Sequence, residues 1–201
     1  EVNLTAADSD VTLGVNFADS VAAYADGAGF EVSIYAYDGS YVGADVYFDT
    51  LNATDNGIGM YVQVDAIDEA GVYVDVAIYD DNIALGAYSV AQTNDTGILV
   101  DIYTNDAFAD ADVYIDDTIA QNNYTGVAII GAAYDGGLTY VDVDADTLYA
   151  NNNGYGVTVD VVSDDAYVQM LVGIYSSQLN NNTYAGLDVD AYVTNGGGAF
   201  V

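Results

Sequence analysis

The stretch Thr139–Val161, TYVDVDADTLYANNNGYGVTVDV, decides the fold. Val141, Val143 and Ala145 alternate with Asp142, Asp144 and Asp146, so an extended chain puts apolar side chains on one face and three carboxylates on the other. Asn151, Asn152, Asn153 and Gly154 interrupt the run, and Val157, Val159 and Val161 resume the same period beyond Gly156. These aspartates have no partner of opposite charge, because the chain contains no Lys, Arg or His.

The 201 residues carry a formal charge of −32, with 20 tyrosines and no Pro, Cys or Trp. Hydrophobic residues make up 52%, which separates the chain from disordered acidic tails and supplies enough apolar surface for one core. The missing residue types exclude much chemistry. Without Cys there is neither a disulfide nor a thiolate metal site. Without His there is no imidazole base, no Ser-His-Asp triad and no typical zinc site. Without Lys or Arg there is no Schiff base and no cationic clamp on phosphate, so nucleic acid is not an expected partner. No apolar run reaches the ~18 residues of a membrane helix, and no membrane insertion is expected. The opening EVNLTAADSD suits a mature secreted protein after removal of a leader, and equally a trimmed piece of a chain.

Glycines divide the chain into similar units. They open at Gly29, Gly57, Gly97, Gly126, Gly156 and Gly186, and residues 1–28 form a weaker first unit. The unit from Gly57 is longer, with the surplus assigned to IALGAYSVAQ (83–92). Each unit reads glycine, alternating strand, polar turn, second alternating strand, Asn-rich segment. In GVYVDVAIY, Val72, Val74, Val76 and Ile78 share one face and Tyr73, Asp75, Ala77 and Tyr79 the other. The shared phase predicts one stacked core containing Val141, Val143, Val157, Val159, Val161, Leu187 and Val189.

The segments TLYANNNGYGVTVDV, QLNNNTYAGLDVDAYV, TIAQNNYTGVAII and TLNATDNGIGMYV resemble rungs of right-handed parallel β-helix proteins of the secreted and cell-surface type. The resemblance implies an all-β solenoid of 28–30-residue rungs, forming a single domain over 1–201. It also implies corner asparagines with left-handed backbones, each bonded to the Asn above, a role carried onto Asn52, Asn94, Asn122, Asn151 and Asn180. The turns YDGS and YDGG suit hairpins as well, so an antiparallel sandwich or barrel is the alternative.

In a β-helix the next rung lies ~4.8 Å away, and two bare carboxylates at that distance repel by just under ~1 kcal/mol even in water. Summed over 32 acidic residues, all Asp except Glu1, Glu31 and Glu69, this demands an offset. Calcium, which takes six to eight oxygen ligands, is one candidate. The pairs Asp142 with Asp144, Asp188 with Asp190, and Asp110 with Asp112 would hold it. The alternative is a solvated acidic face with a diffuse cation atmosphere. Tyr73, Tyr103, Tyr114, Tyr140 and Tyr192 fall on the same polar phase and suit a shielding ladder, a subunit contact or a glycan platform.

Sequons for N-glycosylation occur at Asn3, Asn52, Asn94, Asn123 and Asn181, four of them in the Asn-rich corners. A carboxylate-only glycosidase is chemically open, but aspartates are everywhere and no pair stands out. The expectation is therefore no enzyme. It is a secreted, cell-surface structural protein polymerising with itself by end-to-end strand addition through Ala199, Phe200 and Val201. Composition and repeat type also resemble archaeal sheath and surface-layer proteins. A surface adhesin or passenger-type stalk, with calcium bound, is the alternative.

Overall fold

A computed structural model describes residues 1–18, 20–23, 25–79 and 89–201. Numbered along the chain, its strands form three parallel sheets. The first contains β1 (Val2–Ala7), β4 (Ala28–Tyr37), β7 (Ile58–Ile67), β10 (Thr96–Asn105), β13 (Thr125–Tyr134), β16 (Tyr155–Asp164) and β18 (Ala185–Thr194). The second contains β2 (Asp10–Ala18), β5 (Tyr41–Asp49), β8 (Gly71–Tyr79), β11 (Phe108–Ile115), β14 (Leu138–Asp146), β17 (Tyr167–Tyr175) and β19 (Gly198–Phe200). The third, narrower sheet contains β3 (Val21–Ala23), β6 (Asn52–Thr54), β9 (Ser89–Gln92), β12 (Thr118–Gln121) and β15 (Leu148–Tyr149). The chain visits the three in turn, so each strand pairs with the strand one turn later. The molecule is a β-solenoid of about six turns.

Parallel pairing removes the antiparallel alternative. The turns that suit hairpins carry the chain from the first sheet to the second instead. Asp38 and Gly39 have φ of 52° and 70°, and Asp135 and Gly136 repeat this with 49° and 85°. Two consecutive left-handed residues swing the chain out of its sheet, and the turn's N–H groups then bond to the turn above. Gly136 N–H, for example, donates to the Asp165 carbonyl at 2.7 Å.

The period-2 alternation places the core as predicted for five of the seven named residues. Val141, Val143, Val157, Val159 and Val161 are buried, and along one column Val32, Val62, Val100, Ile129, Val159 and Val189 stand in register. Leu187 and Val189 keep the phase but are 48% and 45% exposed. They lie on β18, over which no described turn is stacked.

Three sequence assignments shift. Gly57 opens its unit two residues early: Met60 pairs with Phe30 and Ile98, which puts Gly59 in the column of Gly29, Gly97, Gly126 and Gly156. That column is a close approach of backbones. A Cβ on Gly97 would lie 2.5 Å from the Gly126 carbonyl oxygen, and one on Gly126 at the same distance from that of Gly156. The surplus of the long unit precedes Ser89, because β9 takes the regular place between β6 and β12. Residues 83–88 of the stretch assigned to it lie outside the described residues.

The asparagine role also moves, mostly by one to four residues. The ladder runs through Asn56, Asn94, Asn123, Asn153 and Asn182. The backbone N–H of each donates to the Oδ1 of the next at 2.8–2.9 Å, and each Nδ2 donates to an alanine carbonyl: Ala22, Ala53, Ala91, Ala120 and Ala150. Of the predicted set only Asn94 belongs to it. Asn122 has the left-handed backbone, with φ of 58°, but its side chain is exposed. Asn151 and Asn180 bond to each other outside, Asn180 N–H donating to Asn151 Oδ1 at 2.7 Å. Asn52 lies exposed in β6, accepting from the Thr54 hydroxyl. The left-handed corner and the amide ladder thus fall to adjacent residues. Only the second points inward, because a residue in the αL region turns the chain and its own side chain stays on the outside of the bend.

Candidate functional site: an aspartate ladder between tyrosines

The second sheet presents its polar face to solvent, and register concentrates charge there. Val46, Val76, Val113 and Val143 point inward on β5, β8, β11 and β14. Their neighbours Asp45, Asp75, Asp112 and Asp142 pair directly across the strands and form a four-rung column of carboxylates facing out. Above Asp142 the column ends in Leu171. Asp110 stands one column to one side, in register with Tyr73 and Tyr140, and Asp144 one column to the other, in register with Tyr114. The sheet therefore gathers four of the six predicted metal residues on one face. Asp188 and Asp190 are elsewhere, on β18 of the first sheet, where Asp190 pairs with Asp160.

Aromatic rings flank the column. On one side Tyr41, Tyr73, Phe108, Tyr140 and Tyr167 form a continuous row with centroids 5.2–6.2 Å apart. The rings alternate between two columns and lean over glycine: a Cβ on Gly71 would meet Tyr41 at 3.3 Å. On the other side stand Tyr47 and Tyr114. Two open grooves result. The larger, about 490 Å³, runs between Tyr47, Tyr114 and the carboxylates of Asp75, Asp112, Asp142 and Asp144. The smaller, about 280 Å³, lies between Phe108, Tyr140 and Asp110.

Burial and mutual repulsion push the carboxyls of Asp75, Asp110 and Asp142 up. For Asp75 the largest cause is loss of water, followed by Asp112 and Asp45. For Asp110 it is again loss of water, then Asp112, Asp75 and Asp142. Asp142 is raised by loss of water and by Asp144 and Asp112, with a backbone hydrogen bond from Val143 opposing. The first sheet has a second, shorter acidic strip. There, loss of water raises Asp65 and Asp101 and pushes the Tyr61 phenol up to about 12, and Asp160 is raised by burial, Asp190 and Asp188. Here Gln63 donates to Asp65 within β7, and the Tyr35 hydroxyl of the preceding turn donates to Gln63.

The geometry sets limits on the chemistry. A straight column keeps each carboxylate a full rung from the next, and among the described residues no three acidic side chains converge enough to hold one ion. The face can accept hydrogen bonds and collect cations along a line.

The sequons separate into two classes. Asn3, Asn52 and Asn181 are exposed. Asn94 and Asn123 are buried rungs of the amide ladder whose Nδ2 atoms are committed to the Ala53 and Ala91 carbonyls. Glycosylation at these two and this fold exclude each other. Sequence reasoning missed the ladder members Asn56, Asn123, Asn153 and Asn182, although each lies three or four residues before its column glycine, a spacing the sequence does contain.

The C-terminal residues also divide. Ala199 is on the core side, paired with Val168, while Phe200 pairs with Gln169 and faces out beside the aromatic row. Val201 is exposed.

No family model, no curated protein and no solved structure matches this chain.

Proposed function

We propose that the chain is a structural protein of the cell exterior whose solenoid is the building rod of a filament, sheath or surface layer. The observation that supports this best is the repeated rung. Every turn uses the same columns, and the last one, β18, offers Leu187, Val189 and Val193 as a half-exposed continuation of the core. A covering strand with the same pattern completes it. β1 has that pattern: Val2, Leu4 and Ala6 pair with Val32, Ile34 and Ala36, columns that end at Val189, Ala191 and Val193. A second copy stacked in this register buries apolar surface and pairs backbone along β1 and β18.

The junction is weaker than a normal turn. β19 covers only Tyr167–Gln169 of β17, and the position that would meet Asn182 is Ala25, which has no amide to extend the ladder. Copies should therefore separate before turns unfold. Divalent cations, calcium among them, serve as counterions along the aspartate column. The acidic, aromatic face of the second sheet favours a second reading, a stalk or adhesin that presents this surface without polymerising.

The test is sedimentation and negative-stain imaging of the 201-residue polypeptide, with and without calcium and at mildly acidic pH. Fibres or sheets that disperse on Val189→Asp support the polymer. A soluble monomer under all conditions removes it and leaves the stalk.

A further inference from the structure

Tyrosines in this fold are paired across turns, and some pairs are open to solvent. Tyr41 on β5 and Tyr73 on β8 are 46% and 42% exposed, with ring centroids 5.2 Å apart and planes tilted by 33°. Near the other end, Tyr155 and Tyr184 lie on successive turns, 5.0 Å apart and tilted by 32°. Tyr124, one turn before Tyr155, joins them at 6.0 and 6.2 Å. The site is built by a glycine. Gly154 sits between Tyr124 and Tyr184, and a Cβ there would lie 3.4 Å from both rings. With no side chain in the way, rings from three turns meet over bare backbone.

The geometry points to Tyr41–Tyr73 and Tyr155–Tyr184 as sites of oxidative tyrosine cross-linking, covalent staples between consecutive turns. The co-reactant is a one-electron oxidant of the peroxidase and hydrogen peroxide class. Each phenol loses one electron and one proton, giving two phenoxyl radicals. These join through a new carbon–carbon bond between ring carbons ortho to oxygen, and each ring returns its ortho hydrogen to oxygen as the aromatic phenol is restored. Two hydrogens leave the protein in total, and one peroxide accepts the two electrons and two protons and becomes two waters. Coupling needs two rings in contact for the short life of a radical, which a fixed ladder provides and a mobile side chain does not. The chain has no cysteine, so stacked phenols take the place a disulfide would hold. The inference stands whether or not the chain polymerises.

The experiment treats dilute native protein with horseradish peroxidase and hydrogen peroxide, then cleaves with an Asp-specific protease and maps cross-linked peptides by mass. Asp45, Asp55, Asp65, Asp160 and Asp164 lie between the paired tyrosines, so each cross-link joins two separate peptides. The expected result is a loss of two hydrogens per link at Tyr41–Tyr73 and Tyr155–Tyr184. Yield should be independent of protein dilution, and Tm should rise by roughly 10 °C per link, since each link closes a loop of about thirty residues. Tyr73→Phe and Tyr184→Phe should each abolish one link and spare the other, with the circular dichroism spectrum unchanged. Links that form mainly between molecules, or that join other tyrosines while these two pairs stay free, overturn the inference.

Discussion

Replacing Asn123 with alanine tests the element on which every turn depends. Asn123 is buried and makes four hydrogen bonds, one of them through its backbone carbonyl, which accepts from Gly154 N–H at 3.2 Å. Its N–H donates to Asn153 Oδ1 at 2.8 Å, its Oδ1 accepts from Asn94 N–H at 2.8 Å, and its Nδ2 donates to the Ala91 carbonyl at 3.0 Å. Alanine keeps the two made by the backbone and deletes the two made by the side chain. Asn94 N–H then loses its acceptor in the interior, at ~1–3 kcal/mol, and the Ala91 carbonyl loses one donor, at ~1 kcal/mol, so the expected loss is about 2–4 kcal/mol. Its neighbour Asn122 is the control. That side chain is exposed, and alanine there costs only the left-handed backbone, ~1–2 kcal/mol. Urea titration followed by far-UV circular dichroism measures both, with an unchanged m-value required for the comparison. Nearest-neighbour coupling in a solenoid adds a second readout: the Asn123 variant should lose cooperativity, unfolding from the turn bounded by β10 and β13. Should Asn122→Ala destabilise as much as Asn123→Ala, the assignment of the ladder is wrong.

Three further outcomes follow from the same structure. Gly126→Ala places a Cβ 2.5 Å from the Gly156 carbonyl and 2.6 Å from Asn153 Nδ2, and should prevent folding or cost more than ~3 kcal/mol, while Gly14→Ala, with nothing within 4 Å, should be neutral or stabilising by up to ~1 kcal/mol in urea titration. Acidification from neutral pH should stabilise the chain: Asp65, Asp75, Asp101, Asp110, Asp142 and Asp160 have folded-state pKa values raised above 3.8, so the native state binds more protons, and stability falls as pH rises through the raised values and is fully regained only below 3.8; a Tm that falls steadily from pH 7 to pH 4 contradicts this. Asp112→Asn removes two rung-to-rung repulsions, with Asp75 and Asp142, and should raise stability by ~1 kcal/mol at low ionic strength and by much less in 1 M NaCl, as differential scanning calorimetry in the two salts will read.

Strand phase was fully legible because it is a local property. Val72 to Ile78, Val141 to Ala145 and Val157 to Val161 alternate in the sequence itself, and alternation fixes which side chains face inward. Parallel order was legible only through repetition, since the turns at Asp38–Gly39 and Asp135–Gly136 satisfy a hairpin and a solenoid corner alike. What was not legible was contact between turns. Asn122 and Asn123 are identical residues, and only backbone φ decides which enters the ladder. Gly57 and Gly59 differ by register against Phe30 and Ile98, some thirty residues before and forty after. The aspartates were visible as acidic strands, but the column Asp45, Asp75, Asp112 and Asp142 exists only once four strands are aligned. Exposure of Leu187 and Val189 was hidden for a related reason: a core position is buried by the next turn, and sequence phase reports the position without the cover.

That alignment links charge to length. Each added turn contributes about the same apolar columns and about the same hydrogen bonds, so the favourable part of stability grows in proportion to turn number. Repulsion behaves differently. A new carboxylate on the column meets its first neighbour at ~4.8 Å, its second at ~9.6 Å, and so on along the rod. At ~0.15 M salt the screening length is ~8 Å, so the first neighbour dominates and the cost per turn is nearly constant. At ~0.01 M it is ~30 Å, longer than six rungs of ~4.8 Å, and each new turn is repelled by all those beneath it. The same core that stabilises a long rod in salt must then work against a charge that accumulates with length. With no Lys, Arg or His beside the four carboxylates of the column, the solution supplies the missing counter-charge, and the ionic strength sets how many such rungs, within one chain or across stacked copies, the fold can sustain. Fragments of three and six turns should therefore differ little in salt sensitivity above physiological ionic strength and diverge below it, the longer one losing more Tm on desalting; equal losses per turn at ~0.01 M would show that the carboxylates do not act as one column.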